Sequence, residues 1–126
     1  MWSCNNRGFT LLEILVAMVV LSIGLLGMAG LTAGIMRGNS LSNRMTTAVT
    51  LAQEKMEEIG RLGYSGTPAT DTTTTEDYNS IPHYPWYKRV AFIDVANPAA
   101  GMKTVSVTVY WDSDLHSAAL RTIFAE

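Results

Sequence analysis

The sequence predicts an α+β fold: one long N-terminal helix, membrane-spanning in its first half, packed on a small antiparallel β-sheet of about three to four strands. Three observations carry that prediction. No charged residue occurs from Ile14 to Met36. Apolar residues then recur at helical spacing from Leu41 to Ile59. Beyond Tyr87 the chain turns to aromatic and β-branched segments separated by turn residues.

Composition narrows the function classes. With 126 residues, 48% hydrophobic content and a net charge of -2, the chain is neither disordered nor strongly basic, so lipid and protein are better partners than nucleic acid. Setting the apolar run aside leaves roughly ninety residues, few for an independent core. The single cysteine, Cys4, precludes an intrachain disulfide. No apolar stretch precedes Cys4, as a lipid-attachment signal would require.

The run Ile14 to Met36 makes a helix of roughly 35 Å at 1.5 Å per residue, enough for a hydrocarbon core of about 30 Å. A secretory signal peptide is the rival reading, with Arg7 as its charged region and a cut after Ala29. Glu13 opposes it, because a carboxylate inside the apolar section costs about 2.5–3.5 kcal/mol. Flanking charge leaves orientation open, with Arg7 on one side and Arg37 and Arg44 on the other. Glu13 needs a cation, and none lies within the span. A cut between Gly8 and Phe9 would supply one, an α-ammonium on Phe9 four residues from Glu13.

Gly8-Phe9-Thr10-Leu11-Leu12-Glu13, followed by the apolar run, resembles the class III signal of type IV prepilins and of the pseudopilins of type II secretion. The resemblance implies the type IV pilin fold, cleavage after Gly8 by a membrane-embedded prepilin peptidase, and N-methylation of Phe9. It makes Glu13 the assembly contact that registers an incoming subunit against the Phe9 amine of another. It divides the chain into a cytoplasmic leader (1–8), a transmembrane and filament-core helix (9–36), its amphipathic continuation (37–62), a Thr-rich loop (63–86) and the sheet (87–126).

Gly24, Gly27, Gly30, Gly34 and Gly38 fall on one broad helix face. Small residues let membrane helices approach closely, so Gly24, Gly27, Gly30 and Gly34 are candidates for helix packing. They also weaken the helix, by about 1 kcal/mol each relative to alanine. Similar pilins lose helicity here on entering the filament, which implies extension around Gly24 to Gly30.

Leu41, Met45, Ala48, Ala52, Met56 and Ile59 form an amphipathic stripe, expected to pack beneath the sheet, with Gly60 or Gly63 as the stop. Arg37-Gly38-Asn39, Ser42-Asn43-Arg44 and Leu51 through Ile59, read with Tyr64, resemble PilV-type minor pilins, the type IV pilus modification proteins. Minor pseudopilins share the first half. Many major pilins close their C-terminal region with a disulfide, which suits this one-cysteine chain to a minor role.

The segment from Gly63 to Trp86 is rich in Thr, Asp, Ser and Pro, without apolar period, and reads as a solvated loop. Its threonines are potential glycosylation sites. Tyr84, Trp86 and Tyr87 are expected to cap the sheet, with partner contact as the alternative. Tyr87 to Val95, Lys103 to Trp111 and Ala118 to Ala125 read as strands. In the second, Val105, Val107, Val109 and Trp111 alternate with Thr104, Ser106, Thr108 and Tyr110, the mark of a half-buried strand. Short connections imply antiparallel pairing.

His83 and His116 belong to no metal or nucleophile motif, so neither catalysis nor a cofactor is expected. Asp112 and Asp114 could donate to calcium but lack a full ligand set. The expected protein is a minor pilin that helps initiate or modify a type IV pilus. Its partners would be the prepilin peptidase, other minor pilins, the major pilin and the pilus assembly platform. It would be a single-pass inner-membrane protein with its C-terminal part outside the cytoplasm, later assembled into an extracellular pilus. The alternatives are a minor pseudopilin of type II secretion and an exported binding domain.

Overall fold

The computed structural model describes residues 10–126. It resolves into two compact units that divide between Ser40 and Leu41. The elements are helix α1 (Leu11–Gly66) and strands β1 (Thr72–Glu76), β2 (Tyr87–Val95), β3 (Met102–Trp111) and β4 (His116–Ala125).

Helix α1 starts where Thr10 caps it. The Thr10 carbonyl accepts from Ile14 N at 3.2 Å, and its hydroxyl accepts from Glu13 N, also at 3.2 Å. A threonine followed three residues later by glutamate is the sequence form of a capping box. Within the first unit the helix buries nothing: every residue from 10 to 40 is exposed. Ser22 and Thr32, the polar residues of the run, donate their hydroxyls to the carbonyls of Met18 and Met28, at 2.7 and 2.9 Å. Neither then presents an unpaired hydroxyl to an apolar solvent.

In the second unit, the α1 residues from Ala48 to Ile59 pack against a four-stranded sheet of order β1-β2-β3-β4, antiparallel at every pairing. Sheet residues alternate between faces, and the register aligns the inward ones into rows. Arg89 lies opposite Val109, Ala91 opposite Val107 and Ile93 opposite Val105. Val105, Val107 and Val109 are fully buried, and Ala48, Leu51, Ala52 and Ile59 of α1 close over the same core. Leu120 and Phe124 of β4 pack at its margin.

Three sequence expectations need correction. Leu41 and Met45, read as core, are 48% and 53% exposed. Burial on α1 begins at Ala48, and ahead of it the Arg44 carbonyl accepts the Tyr87 hydroxyl at 3.3 Å. The segment read as a loop contains a strand, β1, of four threonines and Glu76. Its middle residues are exposed, so no buried alternation marks it, although threonine favours strands. The regular helix does break at Gly63, one of the two expected stops. That residue takes φ 66°, and one further turn runs to Gly66. Finally, only Tyr87 of the aromatic cluster caps the sheet. Tyr84 is 40% exposed and Trp86 is 78% exposed.

Two buried cations tie the second unit together. Arg89, 6% exposed, donates to both carboxylate oxygens of Glu76, at 2.6 and 3.0 Å, and to the Leu51 carbonyl at 2.9 Å. Glu76 is its register partner on β1, so one side chain links edge strand, neighbouring strand and helix. The hydrogen bonds and charge of the Arg89 guanidinium, helped by the Lys55 ammonium, hold the Glu76 pKa below the usual carboxylate value, against the opposing effect of burial. Lys103, 5% exposed, donates to the carbonyls of Tyr64 and Thr67 at 2.7 and 3.1 Å. A cation there complements the negative end of the helix.

Candidate functional site

The first unit carries the residues singled out for assembly. Glu13 sits in the first turn of α1, exposed, its backbone N–H already taken by the Thr10 hydroxyl. The positive end of the helix dipole favours a carboxylate there. Its side chain is therefore placed at the helix start without being committed to a structural contact. Ile14, Ala17, Met18 and Leu21 flank it along one side of the helix. Gly8 and Phe9, the expected cleavage and methylation positions, lie outside the described residues, as does Cys4.

Gly24, Gly27, Gly30 and Gly34 all fall inside α1, and a Cβ added at any of them would meet nothing within 4 Å. The same holds for Gly38. Nothing among the described residues uses that glycine face. Leu12, Leu26 and Met28 are 73%, 73% and 70% exposed, although water is a poor solvent for such side chains. By length and composition this is a helix able to cross a membrane, and it is helical through Gly24 to Gly30.

At one end of the sheet in the second unit, a cavity of about 600 Å³ opens between the 77–86 loop and the turn after β3. Tyr78, Trp86, Tyr87 and Trp111 supply its aromatic lining, and Arg44, Asn79, Asp112 and Ser113 supply polar groups. The Trp111 indole N–H is buried and has no acceptor among the described residues. Tyr87 and Trp111 are register partners, with ring centroids 6.4 Å apart.

A clasp holds the two loops together beside this cavity. The Tyr78 hydroxyl donates to Asp114 Oδ1 at 2.8 Å and accepts from Asp114 N at 3.0 Å. The Lys88 ammonium donates to the other carboxylate oxygen. These bonds lower the Asp114 pKa, the Lys88 contact contributing most, and the Asp114 hydrogen bond raises that of Lys88. Asp114 is thus occupied by a protein cation, and Asp112 lies 3.9 Å from His116. Among the described residues no group of three His, Cys, Asp or Glu side chains forms a metal-ligand set. His116 stacks on Trp111, with centroids 5.7 Å apart, while His83 occupies a loop position with φ 67°.

Sequence reasoning missed the Thr10 cap, the Arg89–Glu76 pair, Lys103 and the cavity. The first had a local signal in Thr10-Leu11-Leu12-Glu13. Arg89 and Lys103 were detectable as cations at inward positions of otherwise apolar alternations, which demand a partner. The cavity joins residues from four separate parts of the chain and had no local signal.

Residues 3–29 match the family model of the prokaryotic N-terminal methylation motif. No curated protein and no solved structure matches the chain. The motif indicates a type IV pilin- or pseudopilin-like protein, and one helix with a four-stranded antiparallel sheet is consistent with the α+β pilin fold.

Proposed function

We propose that this chain is a minor pilin, cut by prepilin peptidase between Gly8 and Phe9, methylated on Phe9, and incorporated where it helps initiate or modify a type IV pilus. The observation that carries the reading is the joining of the methylation motif at residues 3–29 to a helix whose apolar side chains from Leu11 to Met36 have no cover among the described residues. Such a surface suits lipid while the subunit is stored and neighbouring helices once it is assembled. The work is assembly rather than catalysis. Glu13 is the registering carboxylate, paired with the Phe9 ammonium of another subunit, and the face of Gly24, Gly27, Gly30 and Gly34 admits a close helix neighbour. The PilV-like segment from Arg37 to Tyr64 and the absence of a second cysteine support a minor role. In this reading the precursor is a single-pass inner-membrane protein with its sheet outside the cytoplasm. Its partners are the major pilin, other minor pilins and the assembly platform.

Mass spectrometry of the mature protein's N-terminus tests the processing step. A start at methylated Phe9 is expected, and a start at Gly30 would establish a conventional signal peptide instead. Glu13→Gln should leave that mature terminus unchanged while removing the protein from sheared pili. Wild-type incorporation of the variant would overturn the role of Glu13. Secretion loss with no protein in pili would make the chain a pseudopilin.

A further inference from the structure

We infer that the cavity lined by Trp86, Tyr78, Asn79, Asp112, Ser113 and Arg44 is a binding site for a short neutral oligosaccharide. The inference goes beyond the assembly role and uses none of the residues assigned to it.

The cavity is a held feature rather than a gap between mobile loops. Among the described residues, six non-glycine positions have positive φ, and four of them are Asn79, Asp112, Ser113 and Asp114. The first three line the cavity and the fourth anchors the clasp to Tyr78 and Lys88. Positive φ is unfavourable for L-residues, least so for Asn and Asp, and survives where surrounding contacts over-determine it. Here Tyr78 and Lys88 hold the turn after β3, while Asn79 N donates to the Pro85 carbonyl at 3.1 Å and closes the opposite loop. Ile81, 5% exposed, anchors that loop in the core. The walls are therefore set before any ligand arrives, which reduces the entropy lost on binding.

The chemistry of the walls selects the ligand class. A pyranose has an apolar C–H face and a rim of hydroxyls, each both donor and acceptor. Trp86 offers a flat indole, 78% exposed, at a cavity that Tyr78 also lines. Asn79, Ser113, Asp112 and Arg44 are all exposed and together present amide, hydroxyl, carboxylate and guanidinium groups to the hydroxyl rim. About 600 Å³ lies within the usual range for small-molecule sites. An anion is disfavoured because the lining carries one cation, Arg44, and one carboxylate, Asp112, and so no net formal charge. A wholly apolar ligand would leave four polar groups facing it unpaired.

The test uses the full chain in phospholipid nanodiscs, which avoids sugar-headed detergents. Cellobiose, lactose and N,N′-diacetylchitobiose are titrated while tryptophan fluorescence is followed, with calorimetry as the second readout. Saturable binding of at least one disaccharide is expected, with a Kd of about 0.1–1 mM. Trp86→Ala should weaken it about tenfold or more with unchanged circular dichroism. Leu115→Ala, at a residue 77% exposed outside the cavity lining, should leave it intact. No saturable binding at ten times a ~1 mM Kd would overturn the assignment, as would undiminished affinity in Trp86→Ala. Protection of Trp86 by another pilin subunit, without any disaccharide binding, would make the cavity a protein contact and overturn it as well. Because the assay needs neither cleavage nor pilus formation, its failure is distinct from failure of the assembly reading.

Discussion

The residues of α1 in the two units differ in what they bury. From Leu11 to Met36 the large apolar side chains are exposed. From Ala48 to Ile59, Ala48, Leu51, Ala52 and Ile59 are buried under a sheet. Both stretches are helical, so secondary structure does not distinguish them. The first is apolar around its circumference, which suits a uniform apolar solvent, and the second confines its apolar groups to one side, which suits a boundary between core and water. Helix formation is thus compatible with two environments, and the distribution of apolar side chains selects between them.

The most forceful way to break this comparison is to truncate one leucine in each stretch. Leu51→Ala, at a side chain only 1% exposed, should destabilise the second unit by about 2–5 kcal/mol, read from the denaturant midpoint of the sheet's unfolding. Leu26→Ala, at a side chain 73% exposed, should move that midpoint by less than about 0.5 kcal/mol. Equal shifts would mean that the two stretches are not energetically separate.

A smaller effect is expected at the polar tie. Arg89→Met removes the donor to Leu51 O and leaves Glu76 without its bidentate partner. Complete burial of the orphaned charge would cost about 3–5 kcal/mol. Glu76 retains 30% side-chain exposure and can rehydrate, so about 2–3 kcal/mol is expected. Hydrogen exchange should increase first in β1, whose pairing with β2 includes this contact.

The smallest effect is a pH dependence confined to the second unit. Glu76 has a depressed pKa in the folded state, chiefly through its hydrogen bonds from Arg89. Its contribution is therefore complete above the unfolded glutamate pKa of about 4.3 and is lost as pH falls from there through the lower folded value. Thermal unfolding of the wild type should show this acid-side decline, and Glu76→Gln should flatten it. An unchanged acid-side slope in the variant would remove Glu76 as its source.

Legibility followed the range of the interaction. β2 runs from Tyr87 to Val95 as expected, and β3 buries Val105, Val107, Val109 and Trp111 as their alternation predicts, because a half-buried strand writes its faces into adjacent residues. β1 could not be read the same way, since its burial lies only at Thr72 and Glu76 and comes from pairing with a strand not yet placed. The stripe on α1 was legible as a stripe, but its covered length was not. Leu41 and Met45 have the right spacing and lie where the sheet provides no cover. At the candidate assembly site, Thr10-Leu11-Leu12-Glu13 carries both a capping pattern and the carboxylate. The Gly8–Phe9 positions are readable only as motif.

The sequence by itself determined the kind and order of the main elements and the change along α1 from an all-apolar to a one-sided helix. Those properties arise from periodicity and composition within a few turns or strand residues. Only the tertiary structure decided that Arg89 would meet Glu76 and Leu51, that Lys103 would meet the end of α1, and that Trp86 would stand exposed over a cavity shared with Asp112. Each of those outcomes depends on sheet register and on contacts across 13 to 39 residues of chain for the two cations. Local preference does not specify such distances, because loop closure and burial act only after the elements have come together.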